Sequence, residues 1–337
     1  MTVTQELSAP LFAVIGSTGT QGRSVIKALE ESTKPYRIRA VTRDTSKPAS
    51  KALERLGCHV VEADVGHLES LRAAFTGATY VFLMTNSDYA DQSPDFDHEY
   101  SQGKNQFDAA FAAGVDVIAW SGIPSMKKLY GGKGKVDNFD VKARITTYAR
   151  SLTSPSGIKP KIIDVQPGAY LTNYIIRGPP RPSPTDPNAF VFGLALPPGA
   201  SLPVIDMEED YGKYVVGPLE WALDGDKGRW VDIETVHAAP GYITPLDMAE
   251  AFMQASGKSV TYAAIPDEQL YGFMQSVAGA RAAGCLVEMY KGIREIGYYG
   301  GDDLGPSNRH LARPARTFSE ALNARPEAIK RIFEPEA

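Results

Sequence analysis

The chain has 337 residues, a formal net charge of −5, and 43% hydrophobic and 22% charged residues. That composition suits a folded chain able to bury a core. The acidic balance, with no basic run of five residues, argues against a nucleic-acid surface. No apolar run approaches the roughly 20 residues needed to span a bilayer, and the first residues lack the charged and apolar regions of a signal peptide. Two cysteines, Cys58 and Cys285, make neither a disulfide framework nor a metal-ligand spacing. The expectation is a cytoplasmic protein, nuclear entry left open, with both thiols packed as small hydrophobes.

Leu11 to Ile15 is a continuous apolar run ending in glycine, which predicts a strand buried on both faces. After Gly22 the apolar residues Val25, Ile26 and Leu29 recur at helical spacing. Strands are then predicted at Ile38–Thr42, His59–Glu62, Tyr80–Met84, Val115–Trp120 and Lys161–Val165. Helices between them fall at Lys51–Leu56, Leu68–Phe75, Gln102–Ala113 and Phe139–Leu152. Six strands alternating with helices predict an α/β fold with a doubly wound parallel sheet over residues 1–166.

From about Pro167 the texture changes. The run Gly178-Pro179-Pro180-Arg181-Pro182-Ser183-Pro184 fits neither a helix nor an interior strand, because proline lacks the amide donor. It predicts a cover over one edge of the sheet, lined by Tyr170, Tyr174, Phe190 and Phe192. Helices at Pro245–Ser256, Asp267–Ala280 and Cys285–Glu295, with a strand at Val260–Ala264, predict a smaller, mostly helical lobe. It spans 167–337 and partly returns to the main sheet.

The turn Gly16-Ser17-Thr18-Gly19-Thr20-Gln21-Gly22 carries the clearest chemistry. Between a strand and a helix, its three glycines serve a tight turn, close approach to a pyrophosphate, and close helix packing. The helix N-terminus offers free amides to the phosphates. About 20 residues on, Thr42-Arg43-Asp44 ends the second strand, with Lys47 beyond it. An arginine fork matches a 2′-phosphate and a lysine adds a point charge, which points to NADP. Asp44 keeps NAD open, since a carboxylate there accepts from ribose hydroxyls. Asp64 and Val65 follow the third strand, near the expected adenine edge, and Asn86 follows the fourth, near the nicotinamide end. Each of these polar residues equally suits a turn or a helix cap.

The chain resembles the NmrA-like branch of the atypical short-chain dehydrogenases. The resemblance rests on the glycine turn, Val41-Thr42-Arg43-Asp44, Gln102-Gly103-Lys104-Asn105 and Trp120-Ser121-Gly122. It continues through Asn138-Phe139-Asp140-Val141-Lys142, Pro167-Gly168-Ala169-Tyr170 and Arg316-Thr317-Phe318-Ser319-Glu320. It implies a Rossmann domain with NADP contacts at the glycine turn (Gly16, Thr18, Gly19, Thr20, Gln21, Gly22), Arg43, Lys47, Asp64, Asn86, Lys142 and the Pro167–Tyr170 segment.

Typical short-chain dehydrogenases place a tyrosine four residues before a lysine on one helical face, where the phenol trades a proton with the carbonyl. Lys142 matches the lysine, but Asn138 stands at the tyrosine position and has no titratable proton. Lys142 then orients ribose or is an exposed helix lysine. Ser121 falls near the family's serine and bonds a carbonyl oxygen or only satisfies the strand end. Tyr130, Tyr148 and Tyr170 are candidate replacement acids, and His98 lies near the expected cleft mouth without a further sign of catalysis.

Two functions follow. One is an oxidoreductase passing hydride from NADPH to a small apolar or aromatic carbonyl, imine or enone. The other is a sensor of NADP redox state acting through a regulatory protein partner, as in family members that regulate transcription without the tyrosine. Neither involves direct nucleic-acid contact or a membrane.

Overall fold

In the computed structural model the described residues are 3–90, 93, 96–153, 160–223 and 234–334. β1 (Leu11–Ile15) is buried along its whole length. It pairs in parallel with β2 (Arg37–Thr42) on one side and with β4 (Tyr80–Leu83) on the other. β3 (His59–Glu62) extends the first side, and β5 (Val117–Trp120) and β6 (Lys161–Pro167) extend the second, all in parallel. The order 3-2-1-4-5-6 reverses direction between β1 and β4, the place where open α/β sheets bind ligands.

Helices cover both faces. α1 (Thr20–Glu30) and α7 (Tyr211–Leu223) lie on one, over Phe12, Val14 and Phe82. Their contact is close: a Cβ at Gly212 would stand 2.0 Å from the Ser24 carbonyl oxygen. α3 (Leu68–Phe75), α4 (Asp97–Ala113) and α6 (Asp137–Ser151) lie on the other face over Val81, Ile118 and Trp120. α4 starts earlier than the predicted Gln102, with Asp97 and Glu99 in its first turn, where carboxylates favour the helix dipole. α2 (Pro48–Arg55) and the short α5 (Met126–Leu129) complete this part.

Past β6 the chain builds two three-stranded sheets. One holds β7 (Ala169–Tyr170), β10 (Leu202–Ile205) and β12 (Tyr242–Ile243). The other holds β8 (Arg181–Pro182), β9 (Ala189–Leu194) and β13 (Ser259–Ala264). The prolines around Arg181 sit on an edge strand, where a missing amide costs no ladder bond. α8 (Pro245–Ser256), α9 (Asp267–Ile296), α10 (Gly305–Asn308), α11 (Phe318–Asn323) and α12 (Pro326–Phe333) follow.

From the sequence the lobe partly returns to the main sheet, but no strand is predicted at β11 (Thr235–Ala238). This strand returns to the main sheet and pairs in parallel with β6, making seven strands. Its run is short and interrupted by His237, whose ring is covered by stacking on Tyr299 at 4.1 Å. Helix α7 was equally hidden, because Gly212, Gly217 and Pro218 break its helical pattern.

The aromatic residues expected to line a cover are mostly core. Tyr174, Phe190 and Phe192 are buried in the cluster that joins β9 to α8, α11 and α12. Phe190 meets Phe333 at 4.7 Å and Phe192 meets Phe252 at 5.4 Å between ring centroids. The Arg316–Glu320 motif has a structural meaning: Thr317 and Glu320 form a reciprocal capping box opening α11, and Phe318 enters the same core.

Candidate functional site

β1 delivers the chain to Gly16, whose φ of +65° suits glycine. The Gly19 amide donates to the Gly16 carbonyl at 2.8 Å, closing a tight turn. A Cβ on Gly22 would stand 2.3 Å from the Gly16 oxygen and 2.8 Å from the Ser17 Cα, so α1 presses against the turn. The buried Ser17 hydroxyl donates to the Val41 carbonyl at 2.9 Å, tying the turn to β2. The first helical bond runs from the Arg23 amide to the Gly19 carbonyl. The amides of Thr20, Gln21 and Gly22 therefore have no carbonyl behind them in the helix, and Gly19 at the N-cap supplies no capping side chain. Thr18 and Thr20 are half-buried beside them.

Past the ends of β2 and β3 lies an open cavity of about 310 Å³ lined by Arg43, Glu62, Ala63, Asp64, His67 and Ser70. It brings together Arg43 and Asp64, both named from the sequence, and adds Glu62, His67 and Ser70. These were missed because only the β2–β3 register and the first turn of α3 bring them to one place. Arg43 is exposed. Asp44 turns away into a local loop: Oδ1 accepts the Ser46 hydroxyl at 2.6 Å and the Ser46 amide at 2.9 Å, bonds that hold its carboxyl below the usual range. Lys47 is exposed, 3.9 Å from Asp44 and outside the cavity lining. Asp64 makes a turn as well, its Oδ1 accepting the Gly66 amide at 2.7 Å. The Val65 carbonyl accepts from Asn105 on α4 at 3.2 Å.

Asn86 is exposed just past β4. Lys142 is held firmly: its ammonium donates to the Thr85 carbonyl and hydroxyl, each at 2.7 Å, and pairs with Glu99 at 2.9 Å. Its three protons are thereby engaged. Ser121 is buried, its amide bonded to the Leu83 carbonyl at 2.9 Å and its hydroxyl meeting the Tyr211 phenol. Asn138 sits one turn before Lys142, its carboxamide oxygen buried without a hydrogen-bond partner. Asp164 on β6 is buried and pushed up to about 7 by desolvation, with the Gln166 amide donating to it at 2.8 Å.

The candidate acids separate by position. Tyr130 donates to Glu295 on α9, and Tyr148 donates to Asp108 at 2.5 Å between α4 and α6, so both point away from the glycine turn. His98 is exposed and bonded to Gln102. Tyr170 on β7 reaches the turn itself, its hydroxyl accepting from Gln21 Nε2 at 2.8 Å, and burial pushes its phenol upward. The Gln21 Oε1 atom is buried without a partner. Pro167, also from the implied cofactor segment, is buried, with its carbonyl accepting from the Tyr298 hydroxyl at 3.2 Å.

Cys58 and Cys285 are free and buried, and burial pushes the Cys58 thiol up to about 12. Among the described residues no cluster of His, Cys, Asp and Glu could hold a metal ion, and no helix is long and apolar enough to cross a membrane.

A parallel sheet in the order 3-2-1-4-5-6 with this turn between its first strand and helix defines a Rossmann-type α/β protein. The chain belongs to the NmrA-like family, whose model matches residues 9–322. It is 29% identical over 264 residues, covering 75% of each chain, to the NmrA-like family domain-containing oxidoreductase ptmS of Penicillium ochrochloron. It is 36% identical over 166 residues, 49% of this chain and 48% of the other, to the oxidoreductase FrzB of Cladobotryum sp. Among solved structures, the negative transcriptional regulator NmrA in complex with NADP superposes with a TM-score of 0.72 at 20% identity, covering 94% of both chains. NmrA is also known in complex with NAD. The NADPH-dependent quinone oxidoreductase QOR2 from Escherichia coli, complexed with NADPH, gives 0.69 at 21% identity, covering 93% of this chain and 99% of that one.

Proposed function

We propose that the protein is an NADP(H)-dependent oxidoreductase reducing a small apolar or aromatic carbonyl, imine or enone. The observation that carries the reading is the fit of one extended surface to a phosphorylated dinucleotide. Three uncapped amides open α1, the glycine turn admits close approach, and a cavity with Arg43 on its wall lies beside it. When bound, the cofactor supplies the hydride. The amides of Thr20, Gln21 and Gly22 would hold its pyrophosphate, and Arg43 its 2′-phosphate, with Lys47 adding long-range attraction. Asp44, already engaged with Ser46, is poorly placed to accept from ribose hydroxyls, which favours NADP over NAD. Lys142 serves by fixing Thr85, and with it the approach to Asn86, rather than by moving protons. Relatives named as oxidoreductases, and the NADPH complex of the quinone oxidoreductase, support the same reading.

The test is calorimetric titration with NADPH and NADH of the wild type and Arg43→Ala. Tighter binding of NADPH by at least tenfold, lost in the variant, is expected, since a charge-assisted arginine contact is worth about 1.5–3 kcal/mol. Equal binding of both cofactors by the wild type would refute the assignment of Arg43. NADPH consumption across a panel of carbonyl compounds then tests the reaction.

A second reading is favoured by Asn138 and by the engagement of Lys142: a redox sensor needs a cofactor site but no acid. NmrA is itself a negative transcriptional regulator. A sensor's partner must bind the apo, NADP⁺ and NADPH forms with different affinities, and equal affinities in pull-downs would exclude it.

A further inference from the structure

Helix α9 runs from Asp267 to Ile296 but is broken at Gly279, where φ is +86° and ψ is 168°. That backbone region is essentially reserved for glycine. Its two ends meet, since Arg294 grips the Asp267 carboxylate through bonds of 2.9 and 2.7 Å. In a straight helix, residues 27 positions apart would lie about 40 Å from each other. The chain therefore doubles back at Gly279, making a hairpin of two helical arms, residues 267–278 and 280–296.

The base of the hairpin is fixed to the lobe, where Arg294 also donates to the Ala195 carbonyl at 2.7 Å. The inner arm sinks Ala283, Val287, Tyr290 and Ile293 into the core. The outer arm is held by much less: Leu270 is buried, while Tyr271, Phe273 and Val277 are exposed.

The tip crosses to the Rossmann sheet. Arg281 donates from Nε and Nη2 to Asp137 Oδ2 at 3.2 and 3.0 Å and from Nη1 to the Ser93 carbonyl at 2.9 Å. Its guanidinium lies 3.9 Å over the ring of Phe96. Phe96 is the one non-glycine among the described residues with a positive φ, and it is fully buried at the N-cap of α4. Such a backbone persists where its surroundings hold it. One turn further along, the buried Cys285 thiol lies beside Asp137 and Asn138, so the same arm covers the start of α6. The first turns of α4 and α6 lie beyond the carboxyl ends of the strands, where ligands of this fold bind. They carry Glu99 and Asn138, with Lys142 one turn on.

We propose that this hairpin roofs the substrate side of the site, with Gly279 as the bend between its arms and Arg281 as the positioning residue that pins its tip. The functional part of the proposal rests on the oxidoreductase reading above. Arg281 acts through Asp137 and Phe96: with the pin in place, the first turns of α6 and α4 are held together, and with them Asn138 and the Glu99–Lys142 pair. With the pin withdrawn, the tip around Gly279 lifts from the first turns of α4 and α6 and the mouth widens. A guanidinium suits the task because its fork meets the carboxylate while its flat face covers the ring, and lysine offers only a point charge.

The test is hydrogen–deuterium exchange on the full chain without ligand, comparing the wild type with Arg281→Ala, Arg281→Lys and Asp137→Asn. Losing charge-assisted bonds of this kind should speed exchange by about tenfold or more in residues 267–296 and in the first turns of α4 and α6. The glycine turn and α1 should keep their wild-type rates, Arg281→Lys should fall between, and Asp137→Asn should reproduce the alanine result. Unchanged exchange in the hairpin, or uniform acceleration along the whole chain, overturns the proposal. If Arg281→Ala fails to fold, Arg281→Lys and Asp137→Asn supply the same comparison. With a substrate in hand, Arg281→Ala should raise KM while the dissociation constant for NADPH stays put. Exchange is read without cofactor, so failure of the roof is distinct from failure of the oxidoreductase reading, which shows as no NADPH binding by the wild type.

Discussion

Glu99→Gln keeps the shape of the side chain and removes its charge, which isolates what holds Lys142. Glu99 is 2% exposed and Lys142 15%, so the ammonium loses its countercharge in a place water barely reaches. Breaking a buried pair from one side costs about 3–5 kcal/mol. The two Thr85 acceptors remain, so the lower end applies, about 3 kcal/mol. At about 2 °C per kcal/mol for a chain of this size, the melting midpoint should fall by about 6 °C in a thermal scan. The double variant Glu99→Leu with Lys142→Met should recover most of that loss, because an apolar pair avoids the desolvation cost. NADPH affinity should move little in Glu99→Gln, since neither residue lines the cavity beside Arg43. A Glu99→Gln protein melting with the wild type would refute the reasoning and free Lys142 for a role at the ribose.

Gly22→Ala places a methyl against the backbone of Gly16 and Ser17, which no rotamer change relieves. It should cost about 1–3 kcal/mol and weaken NADPH binding together, and wild-type values for both would show that α1 can move away. Asp164 gives a pH dependence of definite sign. Burial raises it to about 7, above its unfolded value of about 3.9, so the folded chain holds the proton longer. That contribution is present in full below about pH 4 and is lost as pH rises through 7, on the order of 4 kcal/mol in all. Asp164→Asn should flatten that stretch of the urea-midpoint profile, and an unchanged slope would place the proton elsewhere.

What the sequence made legible was whatever is encoded locally. The strand Leu11–Ile15, the glycine turn and the helix behind it are consecutive, and their pattern needs no distant partner to be read. Two late helices are legible, at Asp267–Ala280 and Cys285–Glu295, but the gap read between them is helical and the structure parts the arms at Gly279, inside the first. What stayed hidden depends on residues far apart in the chain. Glu99 meets Lys142 only because α4 packs beside α6, so a lysine read as a site residue is also an ion-pair partner. His67 and Ser70 reach Arg43 only through the β2–β3 pairing. Tyr174, Phe190 and Phe192 looked like lining because their run is rich in proline, and a run cannot show that Phe252, Phe318 and Phe333 will close over them.

The return of β11 to the edge of β6 also bears on how the molecule can be made. The two strands are paired over Asp164–Pro167 and Thr235–Ala238, yet the ribosome must add the first half of the lobe between them. Until then the outer edge of β6 stands unpaired, the kind of surface on which chains join one another. A gene cut after residue 166 would keep that edge permanently bare. Early synthesis is therefore a stage at which that edge is open to pairing with another copy.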